Sequence, residues 1–113
     1  MSLNDFLTKI KTEIPVDFAE TIAVISENYA YQPTAFQNGS VENAAGQNEG
    51  SCKIFAFAKL NALTEAQTLS LFGDYYRVDV LENPSATDHQ NIRQFMQHGW
   101  TGIVFQGEAL NAI

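Results

Sequence analysis

The stretch from Cys52 to Leu60, Cys-Lys-Ile-Phe-Ala-Phe-Ala-Lys-Leu, is the most apolar run of the chain, and only Lys53 and Lys59 interrupt it. A run this short fits a core strand or a core helix by periodicity alone. Ala56, Ala58 and the flanking lysines favour helix. Ser51 is placed to cap it, and Gly50 to turn the chain beforehand. The expected element is a buried helix from Cys52 to about Asn61. Ile54, Phe57 and Ala58 fall on one face, and Phe55 and Leu60 widen that face.

On the N-terminal side, Leu3, Phe6, Leu7, Ile10 and Ile14 recur at helical spacing, with Ser2 or Asn4 as the cap and Pro15 as the stop. A second helix is expected from Asp17, facing the core with Phe18, Ile22, Ile25 and Tyr29. Pro33, Gly39, Gly46 and Gly50 exclude helix from residues 30 to 50. Asn38-Gly39 reads there as a type I′ hairpin turn, and residues 44 to 49 as a loop. Thr64-Glu65-Ala66-Gln67 matches a capping box, with Gly73 ending the helix that it opens. Asp74 is placed to cap a helix through Tyr75, Tyr76, Val80 and Leu81, stopped before Pro84. Thr87-Asp88-His89-Gln90 is a second capping-box match, opening a helix with Ile92, Phe95 and Met96 inward and Gly99 at its end. Residues 100 to 105 read as a strand, and the tail after Gly107 carries little signal. The sum is an α+β fold: one mainly helical domain over residues 1–113, with about six short helices. A small antiparallel sheet of two or three strands completes it, the last strand pairing with the middle hairpin.

At 113 residues, with 45% hydrophobic and 12% aromatic content, the chain is long enough for one modest core. Its formal net charge is −7, and the basic residues Lys9, Lys11, Lys53, Lys59, Arg77 and Arg93 are scattered. No basic stripe is available for phosphates, so neither a nucleic-acid nor a membrane partner is expected. A single cysteine forms no internal disulfide, which fits a reducing cytoplasm. No secretory leader opens the chain, and no apolar run approaches spanning length, so a soluble protein is expected.

Several separated blocks agree in order with a known family. Asn48-Glu49-Gly50-Ser51-Cys52-Lys53-Ile54-Phe55-Ala56-Phe57-Ala58, Phe72-Gly73-Asp74-Tyr75-Tyr76-Arg77, Thr87-Asp88-His89-Gln90-Asn91-Ile92-Arg93 and His98-Gly99-Trp100 resemble the HopJ type III effector family. Pro33-Thr34-Ala35-Phe36 and Asn43-Ala44-Ala45-Gly46 resemble its upstream blocks. The resemblance implies a small, bacterial, single-domain protein with no transferable catalytic activity. It also implies a type III secretion route from the bacterial cytoplasm, and a host or bacterial protein as partner. The first residues show no Ser-rich amphipathic leader, so a cytoplasmic housekeeping role stays open beside it.

The residues themselves offer a few chemical candidates. Cys52 at a helix start would have its thiolate stabilised by the helix dipole. As a nucleophile it needs a histidine base, and His89 and His98 are the available ones, with Asp88 or Asn91 as orienter. The chain is much shorter than the papain-type fold that Gly50-Ser51-Cys52 superficially suggests. A core cysteine is the commoner outcome. Asp74, Asp79, Glu82 and Asp88 bring carboxylates toward His89, but no metal-ligand spacing, phosphate loop or dinucleotide fingerprint is present; no metal and no cofactor are expected. Tyr75, Tyr76 and Trp100, near Arg77 or Arg93, are candidate binding residues. Three functions are compatible with these residues: a non-enzymatic protein-binding domain, a thiol enzyme built on Cys52 with His89 or His98, and a small-ligand protein with a pocket lined by residues such as Phe57, Tyr76 and Trp100.

Overall fold

The apolar run does form the central helix. The structure, a computed structural model, describes residues 2–113. In chain order the elements are α1 (Leu3–Lys11), α2 (Phe18–Asn28), β1 (Tyr29–Tyr31), β2 (Phe36–Asn38), β3 (Val41–Asn43), α3 (Glu49–Leu60) and α4 (Glu65–Ser70). After them come a π-helix (Tyr75–Val80), α5 (Gln90–His98), a 3₁₀ turn (Gly99–Gly102), β4 (Ile103–Phe105) and β5 (Leu110–Ala112).

Helix α3 is the axis of the core. Phe57 meets the rings of Phe6 and Tyr29 edge-on, while Phe55 packs against Phe36, Phe72 and Phe95. Cys52 and every residue from Ile54 to Ala58 are buried, so the helix is enclosed nearly all round. Leu60 departs from the expectation: it lies in the last turn, beyond the surrounding elements, and is 58% exposed. Met96 departs likewise; Ile92 and Phe95 fill the inner face of α5 and leave it in solvent.

Several boundaries differ from the sequence reading for local reasons. Helix α3 begins at Glu49, so Gly50 and Ser51 are in its first turn and Ser51 is not the cap. Thr64 forms the expected capping box with Gln67. The second match does not form: α5 starts at Gln90, and the Gln90 side-chain amide reaches back to the Thr87 carbonyl instead. Asp74 is already helical and caps nothing, and the element after it is a π-helix. Helix α1 stops at Lys11, ahead of Pro15, in a turn closed by Ile14 N–H to the Lys9 carbonyl. The hairpin pairs Asn38 with Val41, so the turn is centred on Gly39-Ser40, not on Asn38-Gly39. Only Gly39 there has positive φ, the arrangement of a II′ turn.

The expected sheet forms with order β3-β2-β4, and residues 99 to 102 wind into a 3₁₀ turn before it. The tail supplies β5, which pairs with β1 in a second sheet. Both pairings share one register without a slip. Asn28 lies opposite Ile113, Gln32 opposite Ala109, Ala35 opposite Gln106 and Gly39 opposite Gly102, each joined by a backbone hydrogen bond. The two sheets are halves of a single antiparallel ribbon. Bonded pairs alternate along such a ladder, so the pair after Ala35–Gln106 would be 33–108. Position 33 is proline and has no N–H to give. The ribbon breaks there and resumes at Gln32–Ala109 with its bonding phase shifted by one residue.

Candidate functional site

Among the described residues, four other than glycine hold positive φ. Glu13 and Ala62 end α1 and α3 in Schellman turns, where a left-handed residue is required. Asn48 (φ 50) and His89 (φ 52) instead begin α3 and α5, and neither side chain caps its helix. Both line one cleft. Unfavourable backbone conformations held by their surroundings tend to gather where a protein does its work.

The cleft has a volume of about 430 Å3 and is bounded by Phe18, Asn48, Gly50, Tyr75, His89 and Asn91. Its wall is an aromatic ladder: Phe18 meets Tyr75 edge-on at 5.0 Å between ring centres, and Tyr75 lies 5.2 Å from the His89 ring. Gly50 allows the Phe18 ring its place, because a Cβ at position 50 would sit 2.8 Å from Phe18 Cζ. Tyr75 is 44% exposed, leaving its phenol free at the rim.

His89 Nε2 lies 3.1 Å from Asp79 Oδ2 and 3.8 Å from Asp88 Oδ2. Asp88 is also held by Arg93 Nη2 at 2.7 Å, and that hydrogen bond lowers its pKa below the usual carboxylate value. The two helix starts bring partial positive charge to the cleft, but Asp79 and Asp88 beside His89 offset it, so nothing here selects an anion.

The floor is an asparagine network. Asn91 accepts from Asn38 Nδ2 and Asn43 Nδ2, each at 3.1 Å, and donates to Asn43 Oδ1 at 3.0 Å. Asn48 Nδ2 donates to the same Asn43 oxygen at 2.7 Å. This network ties the hairpin to the starts of α3 and α5 and fixes the cleft walls relative to each other.

The other candidates lie elsewhere. Cys52 is 1% exposed, and its thiol points to the Thr34 carbonyl at 3.5 Å. Its amide is already bonded to the Asn48 carbonyl, one turn inside α3, so it does not sit among the free amides of the helix start. Burial raises its pKa and outweighs the opposing pull of Thr34 and Tyr31. No described histidine contacts it. His89 and His98 stand at opposite ends of α5, about 13 Å apart along the axis at 1.5 Å per residue. Arg77 donates to the Val16 and Ser70 carbonyls, and Arg93 to the Asp88 and Asn83 carbonyls. Both guanidinium groups hold the backbone in place. Tyr76 and Trp100 pack against the core; Trp100 stacks edge-on to Phe95 and donates from Nε1 to the Leu63 carbonyl. Phe57 is fully buried. Of the sequence candidates, the fold brings together Tyr75, His89, Asp79, Asp88 and Asn91. Phe18 and Asn48 were not among them. Asn48 lies within one of the family-like blocks, but Phe18 reads as ordinary core by its spacing.

Among the described residues, no group of side chains is suited to hold a metal ion, and no helix is long and apolar enough to cross a membrane. A family model described as "HopJ type III effector protein" matches residues 3–110. Among curated proteins, none is significantly similar to the chain. Among solved structures, the crystal structure of an unknown-function protein, VPA0580, is 50% identical; the match covers 100% of this chain and 95% of that one, with a TM-score of 0.98.

Proposed function

The chain belongs to the HopJ type III effector protein family, and on that premise we propose that it works by binding a partner protein and not by catalysis. The carrying observation is the cleft. Three separated family blocks, around Asn48, Tyr75 and His89, converge on it and supply an exposed aromatic, a histidine, amides and the Ser51 hydroxyl, while the hydrogen bond of the His89 ring goes to Asp79 and not to Ser51. Tyrosine is enriched among the anchors of protein–protein contacts, where the ring packs and the hydroxyl finds a partner. The partner is a host or a bacterial protein, and a type III secretion system is the route by which the chain would reach a host.

The thiol-enzyme alternative requires a reactive Cys52, which burial opposes. Labelling by iodoacetamide at neutral pH should be slow and should accelerate in urea; fast labelling of the folded protein would restore that alternative. For the binding reading, a partner captured by the protein is purified and titrated against it. Tyr75→Ala should weaken the complex by about tenfold or more, as expected of an aromatic anchor. Equal affinity for Tyr75→Ala, or turnover of a small substrate with no partner found, would sink the proposal.

A further inference from the structure

The shared register of the ribbon decides where the backbone groups of its C-terminal strand point. Bonded pairs fall at Ala109, Asn111 and Ile113 in one half, and at Gly102, Val104 and Gln106 in the other. The N–H and C=O groups of Leu110 and Ala112 therefore point away from β1, and those of Phe105 away from β2. None of these groups bonds to another described residue. All three residues border a groove of about 700 Å3, whose opposite side is Ala56, Lys59 and Leu60 of α3.

We infer that this groove is a strand-addition site, in which an extended segment of a partner protein pairs with the free edge of β5 and completes the two-stranded sheet. A row of outward amides and carbonyls is matched by an extended chain, with the aliphatic floor taking alternate side chains. A two-stranded sheet gains most from a third strand. Charge defines the occupant further. Lys59, whose ammonium lies 5.9 Å from the centre of the Phe105 ring, makes no ion pair among the described residues, and neither does Glu108 at the bend. The fitting strand carries a carboxylate over Lys59 and a basic residue toward Glu108. A second copy fits poorly: β5 is Leu-Asn-Ala and offers neither charge, and each copy carries −7. This surface is separate from the cleft at His89, and the two succeed or fail independently.

The test uses the full chain, isotope-labelled, and a panel of blocked seven-residue peptides of alternating valine and threonine with one aspartate and one lysine. Saturable amide shifts at Phe105, Leu110 and Ala112, with slowed hydrogen exchange at Leu110 and Ala112, are expected. A backbone N-methylated version of the best peptide should fail to bind. Ala112→Pro removes an outward N–H that the β1 ladder does not use, and should weaken binding about tenfold. Lys59→Glu, on the exposed end of α3, should weaken it too while leaving the fold intact, which covers the case in which the proline variant unfolds. The inference is overturned by shifts confined to the His89 cleft, by equal binding of the N-methylated peptide, or by no saturable shift at millimolar peptide. Exchange protection of Leu110 and Ala112 in a self-associated free protein would overturn it as well.

Discussion

Asn91 is only 7% exposed, yet it is a polar residue on the inward side of α5. Its amide group joins Asn38 and Asn43, which are themselves buried. Asn91→Ala removes these three bonds, while Asn38 Nδ2 keeps the backbone carbonyl of residue 91 and Asn43 keeps Asn48 Nδ2 and, at 3.4 Å, the Phe36 carbonyl, so the cost is that of the lost bonds with only part of the desolvation. Urea unfolding should show a loss of about 1–3 kcal/mol; a loss below about 0.5 kcal/mol would mean the network rearranges without cost. Asp88 makes a different prediction. Its carboxyl is held below its ordinary value of 3.8, chiefly by the Arg93 hydrogen bond. A depressed carboxylate stabilises the fold above its unfolded pKa, and that contribution disappears as pH falls through the folded value. Between about pH 5 and pH 2, wild type should therefore lose stability more steeply than Asp88→Asn. Parallel curves for the two proteins would remove the Arg93–Asp88 pair from the account.

Element ends show how local chemistry and tertiary demand divide the work. Helix α3 closes in a Schellman turn with Leu63 N–H bonded to the Ala58 carbonyl, and Ala62 takes the left-handed position at φ 53. A Cβ is disfavoured there, and glycine is the residue that fits. Ala62→Gly should raise stability by about 0.5–1 kcal/mol, the relief of left-handed strain less the added chain entropy of glycine. Gly73 is the converse, since its φ is +62 and a Cβ would approach the Phe18 backbone nitrogen to 2.7 Å. Gly73→Ala should lower the melting temperature while Ala62→Gly raises it. Thr64 shows a cap readable in advance: both bonds of its capping box involve residues three apart. Thr87-Asp88-His89-Gln90 has the same pattern and does not cap, because Arg93 holds Asp88 and Asp79 holds His89 from outside the segment.

At the scale of the whole molecule, the ribbon joins residues 28–39 to residues 102–113 and closes the chain around α3. Ala109 and Leu110 are buried in this closure, at 2% and 4% exposure. Deleting residues 109–113 removes the strand partner of β1 together with these two side chains. Burial of the leucine alone is worth about 2 kcal/mol, and several ribbon hydrogen bonds go with it. A circular-dichroism melt of the truncated chain should shift clearly downward or lose its cooperativity; an unchanged melt would mean that the tail contributes nothing to the fold. Much of the architecture is legible in the sequence alone. The apolar run makes α3 central whatever surrounds it, helical periodicity marks α1 and α5, and the ordered blocks identify the family. Those signals are local or compositional, carried within a few residues. Tertiary structure decided the rest. Pairing of β1 with β5 joins segments about eighty positions apart, and neither strand is long enough to show a period of two. The meeting of Asn48, Tyr75 and His89 depends on three elements packing around α3, and so does the burial that makes Cys52 a core residue. Long-range contacts have no spacing in the sequence, because it is the packing of the core that creates them.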